Sequence, residues 1–269
     1  MKQRDIYIVS QEGLDPEANI AAGEGIQEIM DCFPSNKSGY PITNLGAWKD
    51  DGYQYVRNGR LYLTRYKSTQ WYIAKAQEAA KVDLRWHPGC HQLNADVFFE
   101  LMEKDPTNRD IPQFTIFLTR DDLYARYHGV LLNYCLGLSQ RGKGSVVSAH
   151  RYLNRNGYLV GQRREVFKTV VMHEFGHVIG LTYDGRKNTD ENLGSHCTCN
   201  TCIMQQRERG DYEQLARIRQ NLQRQGVPPI CDDCIDAGDR FFVQEREPKA
   251  ESYAQTIVRE VLDKHGIRR

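Results

Sequence analysis

Two histidines four residues apart in an apolar helical stretch constrain this chain more than any other feature. Residues 164 to 180, REVFKTVVMHEFGHVIG, have the period of a buried helix and end at Gly180, a residue suited to a left-handed stop. Inside this stretch His173-Glu174-Phe175-Gly176-His177 fits the pattern H-E-x-x-H. A spacing of four brings the two imidazoles to within about 40° of one helix face, so they can hold one metal ion together. Burying two histidines and a glutamate is costly unless a metal or hydrogen-bond partners compensate them. Zinc suits such a pair, and an open zinc site needs a third protein ligand and a free fourth position. Glu174, one residue on, lies beside the metal-binding face. There it is placed to take a proton from a metal-bound water without becoming a ligand.

The pair therefore predicts a third ligand, returned to the metal by a turn after Gly180. Tyr183, Asp184, Asp190, Glu191 and His196 all lie within reach of that turn. Imidazole is the better zinc donor at neutral pH, which favours His196. Five cysteines crowd into residues 197 to 234: Cys197, Cys199, Cys202, Cys231 and Cys234. In a reducing compartment such a cluster holds metal more readily than disulfides, and a closed zinc site needs four thiolates. Spacing alone selects Cys199-x-x-Cys202 with Cys231-x-x-Cys234. Cys32, Cys90 and Cys135 stand apart and read as ordinary buried thiols.

The order of these elements resembles the archaemetzincins, a family of zinc metallopeptidases in the metzincin clan. His173-Glu174-x-x-His177-x-x-Gly180 opens the metzincin signature, and His196-Cys197, four residues, Cys202-Ile203-Met204 and Cys231-x-x-Cys234 follow in the family's order. Upstream, TIFLTRDDLY (115–124), LNYCLGLS (132–139) and GSVVSAHRYL (144–153) are similar to the strands and turn that precede the family's active-site helix. The resemblance covers about residues 85 to 236. It departs from the family in a thirteen-residue insertion, Tyr183 to Ser195, and in 26 residues between Met204 and Cys231.

The resemblance implies that His173, His177 and His196 hold a catalytic zinc and that Glu174 is the general base. Met204 would be the methionine beneath that metal, in the Met-turn. Cys197, Cys202, Cys231 and Cys234 would hold a second, structural zinc, making two Zn2+ per chain. The implied substrate is a peptide or protein. An alternative reading keeps the zinc-stabilised fold as a catalytically silent peptide- or protein-binding protein, its inserted loop misplacing the third ligand.

The wider chain fits an α/β (α+β) fold, a twisted mixed sheet with an active-site helix and a Met-turn. DIYIV (5–9) reads as a strand, Pro16 to about Cys32 as a helix, and TIFLT (115–119) as a central strand. WYIAKAQEAAKV and NADVFFELMEKD read as helices, the second capped by Asn94. GSVVSAHRYL reads as an edge strand beside a binding groove. We divide the chain into an N-terminal part, 1–84, with an irregular insertion at 33–67 that includes a strand in RLYLTRY; a core, 85–240; and a helical extension, 241–269.

With 36 Lys and Arg against 35 Asp and Glu, the net charge of +1 offers no general attraction to nucleic acid or to an anionic membrane. The N-terminus lacks a signal-peptide apolar run and no stretch matches a membrane span, so the expected location is cytoplasmic.

Overall fold

The computed structural model describes residues 5–34, 40–47, 52–57, 60–65, 68–104, 113–127, 129–183, 185–191, 194–206 and 211–246. The chain opens with strand β1 (Asp5–Ser10) and helix α1 (Pro16–Met30), as its apolar spacing predicts. Pro16 starts α1 where its missing N–H costs nothing, and Asp15 caps it by accepting from Glu17 N at 3.2 Å. Strands β2 (Ile42–Gly46), β3 (Gly52–Arg57) and β4 (Arg60–Arg65) follow, then helix α2 (Thr69–Val82). The segment 33–67 is thus less irregular than its composition suggests: β2 runs parallel to β1, and β3 and β4 form a hairpin. Next come β5 (Trp86–His87), β6 (Cys90–Asn94) and helix α3 (Ala95–Lys104), where Asn94 Oδ1 accepts from Asp96 N at 3.0 Å.

Strands β7 (Gln113–Thr119), β8 (Asp122–Tyr127), β9 (Val130–Cys135), β10 (Gly137–Gln140) and β11 (Gly144–Ser148) precede the long helix α4 (Gln162–Val178). Two short strands, β12 (Thr189–Asp190) and β13 (His196–Cys197), and helices α5 (Tyr212–Arg224) and α6 (Asp232–Arg246) complete the described chain. The expected helix in AQTIVREVLDKH, and the rest of the extension beyond 246, lie outside the described residues. No described helix is long and apolar enough to cross a membrane.

The main sheet has the order β10-β11-β7-β1-β2, parallel except for β10, and a second sheet has the order β5-β6-β8-β9. Alternation along each strand divides the core into two layers. Ile6 and Ile8 of β1, Phe114, Ile116 and Leu118 of β7, and Val147 of β11 face α1 and α4. Val9, Phe117 and Val146, from the same strands, face α2, α3 and the second sheet. Strands covered on both faces read as continuous apolar runs, which is why TIFLT was legible as central.

The expected edge position of GSVVSAHRYL is corrected here. Strand β11 is wholly buried between β7 and β10, and the terminal strand of the sheet is β10, drawn from LNYCLGLS. The turn at 141–143 folds β10 back antiparallel over β11, so continuous burial and not alternation marks 144–148.

Helix α4 is buried nearly all round, packed between the sheet, α1 and α5. Small residues of α1 allow the close crossing: a Cβ on Gly25 would lie 3.0 Å from Met172 Cγ and 3.1 Å from Lys168 O. A buried ion network locks the three helices together. Arg219, with 0% exposure, donates from Nη1 to both Glu28 carboxylate oxygens at 2.9 and 2.8 Å and from Nε to Thr169 Oγ1 at 3.1 Å, and its Nη2 bonds Glu165. Arg164 and Lys168 extend the network to Glu17, Glu24 and Glu28. A guanidinium this deep is tolerable only because carboxylates neutralise it and its donors are satisfied.

Candidate metal centre

Helix α4 carries His173, Glu174 and His177 to its C-terminal end and stops at Gly180, whose φ of +68° lets the chain reverse without a Cβ clash. The chain then crosses Leu181 and Thr182, leaves through the insertion, and returns as β13. Antiparallel pairing of Thr189 with Cys197 and of Asp190 with His196 closes the insertion as a hairpin and delivers His196 to the helix. The imidazole nitrogens of His173, His177 and His196 lie within 4.8 Å of one another, and Nε2 of His173 and His177 are 3.1 Å apart. Nitrogens sharing one tetrahedral zinc at its usual bond length stand about 3.3 Å apart.

Outer hydrogen bonds fix which nitrogen of each ring faces inward. His173 Nδ1 lies 2.7 Å from Ile203 O, and His196 Nδ1 lies 2.9 Å from Gly194 O. A carbonyl only accepts, so both Nδ1 atoms carry the proton and Nε2 is the basic nitrogen of each ring. Thr182 Oγ1 meets His177 Nδ1 at 3.0 Å and orients the third ring. Burial pushes the His173 imidazole down to about 3, with the nearby His196 adding to the effect, and drives His177 well below its ordinary value. Both rings are therefore neutral at physiological pH, as metal ligands must be.

Glu174 is 6% exposed and sits against the edge strand. Its Oε2 accepts from Ser139 Oγ at 2.5 Å, and a Cβ on Gly137 would fall 2.5 Å from its Cγ. Burial raises its carboxyl to about 7, with the Ser139 hydroxyl pulling the other way. Met204 is fully buried beneath the helix, where a Cβ on Gly176 would come within 2.3 Å of its sulfur, and its carbonyl accepts from Cys197 N at 2.9 Å. Tyr212 stands edge-on to His173 with ring centroids 5.7 Å apart.

Among the other expected candidates, the Tyr183 ring lies under Arg141, 5.2 Å from the guanidinium carbon. Asp190 and Glu191 are not among the groups that converge on the histidines, and Asp184 lies outside the described residues. Sequence reasoning missed Ser139, Gly137, Thr182 and Tyr212. Gly137 and Ser139 come from β10, Thr182 from the turn after α4 and Tyr212 from the start of α5, and none stands at a spacing that marks it.

The second cluster is made of sulfur. Sγ atoms of Cys197, Cys202, Cys231 and Cys234 lie within 4.8 Å of one another, with Cys197 to Cys231 at 3.5 Å and Cys202 to Cys234 at 3.6 Å. A disulfide needs about 2.05 Å, whereas thiolates around one tetrahedral zinc stand about 3.8 Å apart. The donors thus fit a closed tetrathiolate site. Cys199 is outside the cluster, its sulfur 3.5 Å from Thr201 Oγ1. Hydrogen bonds from the other three thiols hold Cys197 below the usual thiol range.

A cavity of about 250 Å³ is lined by Tyr134, Leu136, Arg151, Tyr152, Arg163, Val166 and Glu213. Val166 precedes His173 by seven residues, so it lies on nearly the same helix face, about 10 Å away. Leu136 leads directly into β10.

No family model matches the chain, and no curated protein matches it. Among solved structures it is similar to the archaemetzincin of Methanopyrus kandleri, at 17% identity and a TM-score of 0.52 over 90% of this chain and 96% of that one. It is also similar to a zinc-dependent peptidase of Methanocorpusculum labreanum, at 16% identity and a TM-score of 0.45 over 86% and 98%. The archaemetzincin of Archaeoglobus fulgidus gives 18% identity and a TM-score of 0.41 over 87% and 99%. The first of these carries the conclusion on architecture: this chain has the archaemetzincin fold.

Proposed function

We propose that this chain is a zinc metallopeptidase that hydrolyses peptide bonds at His173, His177 and His196, with Glu174 as the general base and Cys197, Cys202, Cys231 and Cys234 holding a second, structural zinc. The observation that carries the reading is the convergence of three inward-facing imidazole nitrogens beside a buried carboxylate. Zinc in the histidine site would supply Lewis acidity toward a carbonyl oxygen and toward water.

The chain's own groups account for the rest. Glu174 takes a proton from the attacking water as the water oxygen bonds to the scissile carbonyl carbon. It then gives that proton to the amine nitrogen as the C–N bond breaks. Ser139 holds the carboxylate in place through this exchange. Strand β10 is terminal in its sheet, so its outer edge is suited to pair with an extended peptide through backbone hydrogen bonds, independently of side-chain sequence. The cavity lined by Leu136 is the right size for one substrate side chain. Met204, packed on Gly176, supports the floor of the histidine site.

The test combines zinc content with hydrolysis of a peptide library by wild type, Glu174→Ala and His196→Ala. We expect two zinc ions in wild type and in Glu174→Ala, with turnover only in wild type, and one zinc in His196→Ala. Full turnover by Glu174→Ala would refute the assignment of the base. Two zinc ions with no turnover of any peptide would favour the silent binding protein.

A further inference from the structure

Arg186 lies in the insertion that separates this chain from the family pattern, yet it is only 8% exposed and points into the cysteine cluster. Its Nη1 donates to Cys234 Sγ at 3.4 Å, while Nε and Nη2 have no hydrogen-bond partner. Among the described residues no carboxylate pairs with Arg186. Arg219, the other deeply buried guanidinium, is neutralised by Glu28 and Glu165. Burying an uncompensated cation costs several kcal/mol, so Arg186 requires anions nearby, and the sulfurs are the groups that surround it. Four neutral thiols or two disulfides would leave the charge unanswered. A tetrathiolate around one divalent ion carries two net negative charges, and a single guanidinium halves them.

The same loop is tied to the cluster at a second point. Asn188 Nδ2 donates to Asp233 Oδ2 at 2.5 Å, between Cys231 and Cys234, and Asn188 O accepts from Thr198 N at 3.0 Å. The backbone carbonyl of Arg186 is held by Thr189 Oγ1 at the start of the β12–β13 hairpin that presents His196.

We infer that Arg186 is the counter-cation of the cysteine metal site, and that through it the inserted loop is clamped to that site and holds His196 in register. This rests on the metal-binding half of the proposed function and adds a positioning residue from outside the ligand set. N–H···S bonds from a guanidinium withdraw charge from the sulfurs, which lowers their reactivity toward electrophiles and strengthens retention of the ion.

The experiment compares full-length wild type with Arg186→Lys, Arg186→Gln and Arg186→Met. Zinc is titrated out with a chromophoric chelator, and the alkylation rate of the zinc-loaded thiols is measured in parallel. Two zinc ions in wild type establish the parent reading before any variant is compared, so failure of that reading is seen separately. Loss of an outer partner lowers metal affinity about 10–100-fold. Gln and Met should fall by that amount at the cysteine site and alkylate faster, while Lys, which keeps the charge, should stay within a few-fold of wild type. In cobalt-substituted protein the thiolate-to-metal charge-transfer band should move to lower energy in Gln and Met but not in Lys. That shift reports charge at the sulfurs, which a purely structural role of the side chain would not move. Wild-type retention and alkylation in Gln would overturn the inference. If Gln and Met fail to fold, Lys decides: retention of zinc supports the counter-cation, and loss equal to a cysteine substitution overturns it.

Discussion

Gly137→Ala tests whether the position of the Glu174 carboxylate depends on a missing side chain one strand away. An alanine Cβ at this position would lie 2.5 Å from Glu174 Cγ, 2.6 Å from Cδ and 2.8 Å from Oε1. Carbon atoms in ordinary contact stand about 3.5 Å apart, so one partner must yield by about 1 Å. Strand β10 is not free to do so, because residues 137–140 are all registered against β11, and a Cβ at Gly144, where β11 begins, would meet Thr115 O at 2.1 Å. Glu174 therefore moves and loses its bond from Ser139. A misplacement of about 1 Å in a reacting group costs on the order of 100-fold in rate. We expect kcat to fall by about that factor with zinc content unchanged, and KM to change little because the backbone edge of β10 is retained. The assay is steady-state hydrolysis of the best library peptide alongside metal analysis. A kcat within about threefold of wild type, with Glu174→Ala inactive under the same conditions, would refute the argument that glycine is required to seat the base.

Other consequences are as direct. Arg219→Ala removes the shared cation of Glu28 and Glu165 from full burial and should destabilise the fold by about 3 kcal/mol, the lower end for breaking a buried pair, because Lys168 and Arg164 still serve those carboxylates. Urea unfolding would measure it, and a loss under about 1 kcal/mol would contradict the network's importance. Zinc binding to the histidine site should release about one proton near pH 6. The source is Glu174, protonated below about 7 until the ion's charge drives the proton off, whereas His173, with its pKa near 3, has none to give. Calorimetry in buffers of different ionisation enthalpy should find the release gone in Glu174→Gln; equal release in that variant would exclude Glu174 as the source. Cys202→Ser should lower metal content below one per chain, because the released segment carries His196 and Cys197 as well; retention of one full zinc would show that the histidine site stands without the cysteine site.

Much of the architecture was legible because it is written in local periods. The apolar helix from 164 to 180, the β-branched central strand at 115 to 119, the helix from Pro16 and the helix capped by Asn94 follow from local side-chain pattern, which needs no knowledge of distant residues. The edge strand was not. Burial on both faces erases the alternation that distinguishes an inner from an outer strand, so GSVVS, expected at the edge, lies inside the sheet and Gly137–Gln140 takes the edge.

The sequence by itself determined the donors: two histidines on one helix face, a carboxylate beside them, a further histidine after the turn, and more cysteines than one site needs. Chemistry and helical geometry sufficed for that, since His173, Glu174 and His177 are neighbours within one turn. Only the tertiary structure decided that His196 returns across thirteen inserted residues to the helix. It puts the sulfur of Cys197, and not that of Cys199, with those of the distal pair, where spacing alone had selected Cys199, and it brings Ser139, Gly137 and Thr182 to the H-E-x-x-H residues and Arg186 to the cysteines. Those groups are brought together by sheet order and by a hairpin register, both properties of contacts between distant segments, and no local period encodes such contacts.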